Sequence, residues 1–269
     1  MINVLLAGVG GQGTVLAAKV LAQAALARGW QVRTAETIGM AQRGGNVTSH
    51  VRMGSDGEEV FSSLITPGTA DMVIALEPGE AARALPYLAP GGVLVTATTA
   101  IQPVTAALAS QPYRAGDVVA ALENALQKNA AQEQQAEAER EAAFGGAEAA
   151  AGAVGDGRSL SDCSAGATSA SAPSAAREAF ATVGKDAQAP GVGGYPVPLF
   201  VPVNDEALVT ALGSGSRKSL NMMLLAVAVA QNRIPLTLDE VKQAVESCVK
   251  PQFVAMNLQA IDHAAEAYG

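Results

Sequence analysis

The chain has 269 residues, 49% hydrophobic and only 4% aromatic, with a formal net charge of -8. That suffices for one large buried core, built from Ala, Val, Leu and Met with few rings. Residues 117–187 carry eleven acidic and five basic side chains, so six of the eight net negative charges sit in one segment. No basic stripe offers itself to nucleic acid, and two distant cysteines, Cys163 and Cys248, give neither a disulfide framework nor a four-cysteine cluster.

Ile2–Ala7 is a continuous apolar run, the pattern of a parallel strand buried on both faces. Lacking a basic region and a long apolar core, it reads as a strand and not a signal peptide, which with the free cysteines predicts a cytoplasmic protein. Thr14–Arg28 has helical apolar spacing with Gly29 as its stop, and Gln31–Glu36 completes a strand–helix–strand unit. After the glycine-rich loop Thr37–Gly45, Asn46–Met53 alternates as a strand and closes in the turn Gly54–Gly57. Ala70–Leu76 is a buried strand, Pro78–Leu88 a short helix and Val93–Thr98 a further strand. The fold class predicted is α/β: a Rossmann-like, open, mostly parallel sheet flanked by helices.

Val118–Phe144 reads as a helix, solvated from Gln127 onward. Gly145–Gly191 is Ala, Gly and Ser with few large apolar groups, too little to offset ordering entropy. A low-complexity, flexible insertion at about 129–192 is expected to interrupt a single domain spanning 1–269. Leu199–Val203 contains Pro202, which suits an edge strand. Asn204-Asp205-Glu206 opens a helix through Leu212, and Ser216 or Ser219 can cap an apolar helix ending near Gln231. Thr237 with Glu240 is a capping box, and Pro251 opens the last helix. The run Met222–Ala230 is far short of the ~20 residues a membrane span requires.

Gly8-Val9-Gly10-Gly11-Gln12-Gly13 lies between a strand and a helix, where glycines permit a tight turn and let a phosphate approach the helix N-terminus. Glu36 ends the second strand where a dinucleotide enzyme keeps its ribose-binding carboxylate. The residues alone therefore leave three readings: a stand-alone NAD- or FAD-binding oxidoreductase, an anion or partner contact, or a scaffold module with a vestigial nucleotide loop whose glycines serve only close packing.

Gly10-Gly11-Gln12-Gly13 after an N-terminal strand, followed by Arg43-Gly44-Gly45 and a strand ending in Val51-Arg52, resembles the gamma-type domain of 2-oxoacid:ferredoxin oxidoreductases. The string Gly39–Gly45 continuing to Ser49-His50-Val51-Arg52 is similar to the indolepyruvate beta subunits of that family, as are Asp71–Glu80, Gly213–Leu224 and Lys250–Asn257. The resemblance covers roughly residues 1–116 and 197–269. It implies a subunit without cofactors of its own, inactive alone. Thiamine diphosphate and iron–sulfur clusters would sit in a larger alpha subunit that reduces ferredoxin and forms an acyl-CoA from an aryl pyruvate. Gly155-Asp156-Gly157 resembles the opening of a thiamine motif, but no Asn follows to complete it.

On this footing Gly8, Gly10, Gly11, Gln12, Gly13, Arg43, Gly44 and Gly45 are the candidate contacts for a coenzyme A phosphate or the partner. Catalytic and metal-ligating residues are expected to be absent from the chain. Arg43 in its glycine-flanked loop could meet a phosphate or simply fix that loop by an ion pair. Arg217 and Lys218 are a further phosphate candidate or two solvated charges.

Overall fold

A computed structural model describes residues 1–39, 45–55, 57–101, 113–129, 131, 135 and 198–269. The expected insertion, Arg43, Gly44 and Asp56 of the expected turn lie outside them, apart from a few positions at the insertion's start. The chain divides into two compact units, Met1–Ala131 with Tyr195–Gly269, and Gln132–Gly194. Every element below belongs to the first.

The strands are β1 (Ile2–Val9), β2 (Gln31–Ile38), β3 (Asn46–Gly54), β4 (Ala70–Ala75), β5 (Leu88–Ala97) and β6 (Leu199–Val203). The helices are α1 (Thr14–Ala27), α2 (Pro78–Ala84), α3 (helical residues 115–129), α4 (Asp205–Leu212), α5 (Leu220–Ala230), α6 (Leu238–Cys248) and α7 (Pro251–Tyr268). They form one six-stranded sheet in the order β2-β3-β1-β4-β5-β6, with β1, β4, β5 and β6 parallel.

β3 runs antiparallel between β1 and β2. The strand–helix–strand unit expected from Ile2–Glu36 is thus not a pair of neighbours. A hairpin return of β3 onto β2 satisfies both strands with a short connection, and the pair then docks as a unit on β1. β6 is an edge strand, as Pro202 suggested. Pro78–Leu88 splits into α2, a 3-10 turn Leu85–Tyr87 and the start of β5.

Strand alternation sorts the side chains by face. Val4, Leu6, Met72, Ile74, Val93 and Val95 meet α1 and α5, with α6 and α7 packed outside them. Every residue from Leu220 to Val229 is buried, so α5 has no polar face and is a core helix. Met222, Met223 and Leu224 are 0% exposed within this chain, which settles them as core. Leu5, Ala7, Val73 and Leu94 face α2 and the Leu122–Leu126 turn of α3.

Ends follow the expected chemistry in most places. Asn204 caps α4 by accepting from the Ala207 N–H at 3.1 Å, and Thr237 with Glu240 forms the full capping box of α6. Ser219 precedes α5 but its hydroxyl makes no cap bond, because a 3-10 stretch, Ser214–Ser219, leads directly into the helix.

Candidate functional site

The loop Gly8–Gly13 turns at the carboxyl end of β1, on the same edge of the sheet as the carboxyl ends of β4, β5 and β6, where open α/β sheets place their ligands. Gln12 buckles it. The Val9 N–H donates to Gln12 Oε1 at 2.6 Å, and Gln12 Nε2 donates to the Leu76 carbonyl at 2.8 Å. The Gln12 N–H closes the turn on the Val9 carbonyl at 3.1 Å. From the other side the Gly10 N–H donates to the Gly45 carbonyl at 2.8 Å, so the two glycine motifs meet.

Backbone geometry explains the glycines where it matters. Gly11 (φ 100°) and Gly13 (φ 83°) are left-handed. A Cβ on Gly11 would meet open space, whereas one on Gly13 would lie 2.6 Å from Asn221 Nδ2. Asn221 Nδ2 donates to the Gly13 carbonyl at 3.0 Å, tying the loop to the first turn of α5. The amides of α1's first turn have no intrahelical acceptor and carry the positive end of its dipole, an arrangement suited to an anion.

Beside this loop three buried polar atoms have no hydrogen-bond partner among the described residues: Thr14 Oγ1, Ser219 Oγ and Asn221 Oδ1. Buried polar atoms are rarely left so, and such atoms grouped at a helix start mark a place for a ligand or water. Asp205, 1% exposed, accepts from the N–H groups of Thr98 at 3.1 Å and Thr99 at 2.9 Å through Oδ1. Its Oδ2 takes no hydrogen bond and stands 3.8 Å from Arg217 Nη2. Arg217 therefore balances a buried carboxylate, while Lys218 is exposed.

The segment that receives Gln12 is itself pinned. Glu77, 4% exposed, accepts from the Glu80 N–H at 3.0 Å and from the Tyr113 hydroxyl at 2.8 Å. Burial, and then the adjoining Glu77 carboxylate, raise the Tyr113 hydroxyl above the usual phenol range, so it remains a donor. Burial raises Glu80, opposed by the Arg83 guanidinium paired with it.

Glu36 is not part of this site. With β3 interposed it is exposed on the edge strand β2, about 10 Å of sheet away from β1 at ~4.8 Å per strand. The dinucleotide reading loses its ribose partner for that reason. Gly8, Gly10, Gly11, Gln12 and Gly13 are brought together with Gly45. Thr14, Asn221 and Asp205 had no site role assigned from sequence, and Ser219 only that of a helix cap. One signal was available, since Asn221 is the polar exception in the apolar run Leu220–Ala230.

A family profile described as pyruvate ferredoxin/flavodoxin oxidoreductase matches residues 3–180. The chain belongs to that family. Among curated relatives, indolepyruvate oxidoreductase subunit IorB of Thermococcus kodakarensis is 40% identical over 111 residues, 41% of this chain and 54% of that protein. IorB of Archaeoglobus fulgidus is 45% identical over 113 residues, again 41% and 54%. The chain spans about half the length of the curated relatives it matches.

Solved structures agree on the fold. The gamma subunit of a keto/oxoacid ferredoxin oxidoreductase from Geobacter sulfurreducens superposes with a TM-score of 0.51 at 16% identity, over 99% of this chain and 97% of that one. A 2-oxoglutarate:ferredoxin oxidoreductase from Magnetococcus marinus, solved with 2-oxoglutarate, coenzyme A and succinyl-CoA bound, gives 0.54 at 14%, over 100% of this chain and 31% of that one. Among the described residues no helix is long and apolar enough to cross a membrane.

Proposed function

We propose that this oxidoreductase-family chain is the glycine-loop subunit of a heteromeric 2-oxoacid:ferredoxin oxidoreductase acting on indolepyruvate or a related aryl pyruvate. In that assembly the loop Gly8–Gly13 receives a coenzyme A phosphate or an acidic group of the partner. The observation that carries this reading is the buckled loop: its shape is held by Gln12, Gly45 and Asn221, while the α1 amides stay free of intrahelical acceptors. Identity to IorB subunits supports the aryl pyruvate.

Coenzyme A fits the loop chemically, since a phosphate needs N–H donors and a positive dipole end, and both are present. Thiamine diphosphate and iron–sulfur clusters fit the chain poorly. A cluster commonly needs four thiolates, and the sequence has two cysteines. Those groups, which supply decarboxylation and electron transfer, belong to a larger partner subunit that passes electrons to ferredoxin. This chain's part is to bind and orient.

The test is reconstitution. Alone, the purified chain is expected to be colourless and inactive towards indolepyruvate; mixed with the thiamine-bearing subunit it should support ferredoxin reduction dependent on coenzyme A. In the assembled enzyme Arg43→Ala should raise the KM for coenzyme A about tenfold, the scale of one lost charge-assisted contact. An unaltered KM and turnover would remove Arg43 from the site. Oxidation of indolepyruvate by the solitary chain, or a stoichiometric bound flavin, would overturn the reading.

A further inference from the structure

On the sheet face opposite α1, β3 has no covering helix among the described residues and presents Thr48, His50 and Arg52 in a stripe. Arg52 is consumed by structure: its Nε donates to Asn3 Oδ1 at 3.0 Å and its Nη1 to the Ser62 carbonyl at 3.1 Å, holding down the loop after β3. His50 is fastened to the same loop by the Ile65 N–H, which donates to His50 Nδ1 at 3.2 Å. That bond fixes the tautomer, leaving Nε2 as the protonated nitrogen of a neutral ring. Burial lowers the His50 pKa, which agrees with neutrality.

Between this stripe and α2 lies a cavity of about 230 Å³, room for a few waters at ~30 Å³ each. Its wall includes Leu5, Thr37, Thr48, His50, Arg83 and Tyr87. His50 is 5% exposed, and its Nε2–H has no hydrogen-bond partner among the described residues. Arg83 pairs with buried Glu80 through Nη1, and the rest of its guanidinium edge is unpaired among the described residues. The Tyr87 ring stands edge-on to His50, centroids 5.8 Å apart. The cavity is therefore amphipathic: N–H and hydroxyl groups with the Arg83–Glu80 pair on one wall, aliphatic carbon and a ring on another. The His50 Nε2–H and the Arg83 edge thus both open onto the same space.

We propose that this cavity binds a small monocarboxylate with an apolar or aromatic tail. The carboxylate oxygens accept from His50 Nε2–H and the free edge of Arg83, and the tail lies against Leu5 and Tyr87. A planar guanidinium edge beside a neutral N–H donor suits a carboxylate, and the aliphatic and ring walls suit a carbon tail. A phosphate monoester would bring a second negative charge towards Glu80, which the buried carboxylate opposes.

The experiment uses the full chain labelled with ¹⁵N-histidine. The sequence has two histidines, His50 and His263, so one His50→Gln variant assigns both. Titration with phenylacetate should shift the His50 Nε2 resonance saturably, with half-saturation at about 1–10 mM, while His263 stays still. Phenylacetamide, the neutral isostere, should shift it little. Arg83→Met made in a Glu80→Gln background, so that no buried carboxylate is left unpaired, should weaken phenylacetate about fivefold or more relative to Glu80→Gln alone.

Equal responses to acid and amide, a shift that never saturates, or unchanged affinity in Arg83→Met would each overturn the proposal. So would a His50 shift that appears only when the partner subunit is added, since the donors would then serve a protein side chain. All of these readouts are independent of the glycine loop, so failure here leaves the reconstitution result standing.

Discussion

On one face of the sheet Val4, Leu6, Met72, Ile74 and Val95 meet a helix, α5, that is buried all the way round, with α6 and α7 closing over it. On the other, Leu5, Ala7, Val73 and Leu94 meet the shorter α2 and part of α3, and β3 offers Thr48 and His50 to a cavity. The first face is dry and densely packed, which makes it the platform on which α1 and α5 hold the glycine loop. The second trades packing for buried polar groups, which is what a recognition surface requires. Rigidity and recognition are thus divided between two sides of the same strands.

The sharpest way to break this contrast is to make equal cavities on both sides. Leu225→Ala, at a position 0% exposed between sheet and α7, should cost about 4–5 kcal/mol, and Leu122→Ala on α3 nearer 2. Urea unfolding midpoints compare them, and equal losses would mean that the faces are packed alike. Next in size is the pair in the loop. Gly13→Ala should cost about 2–3 kcal/mol, because left-handed strain of ~1–2 is added to displacement of Asn221; Gly11→Ala should cost only the strain. Thermal melts of the two variants would show no gap if Asn221 could swing aside freely.

Smaller still, Thr237→Ala should cost about 1 kcal/mol by removing the α6 cap. The same box has a pH signature. Glu240 is lowered chiefly by the Thr237 N–H, so its contribution is present above its unfolded pKa and lost as pH falls through the lower folded value. His50 gives the least effect. Its folded pKa lies below its unfolded one, so the unfolded state takes up the proton first. Stability should therefore decline as pH falls from about 6.5, by less than the ~1.4 kcal/mol per pH unit that one group can give. Denaturation of His50→Gln across that range should lose this slope.

Much of the architecture could be read from local patterns. The apolar runs of β1, β4 and β5, the Gly29 stop, the Thr237–Glu240 box and the edge position of β6 each follow from a few neighbouring residues. Helix α5 was legible as apolar, but whether it faced a partner or its own core was not, because both bury the same side chains. Ser219 was misleading as a cap: a serine before an apolar run has the right composition, yet the preceding 3-10 turn leaves its hydroxyl unpaired. The site was half legible. Gly8–Gly13 announces itself by backbone need, while Asp205, Thr14 and Asn221 are ordinary residues whose meaning lies in what they approach.

Residue order alone sufficed for the glycine loop, the strand and helix segments and the cap of α6, since periodicity, backbone freedom and capping act within a few residues. Strand order belongs to the folded chain. Placing β3 between β1 and β2 carries Glu36 away from the loop and brings Gly45 to Gly10, and docking α5 on the sheet carries Asn221 to Gly13. Such meetings depend on how whole elements bury their faces against one another, and no local pattern encodes that choice.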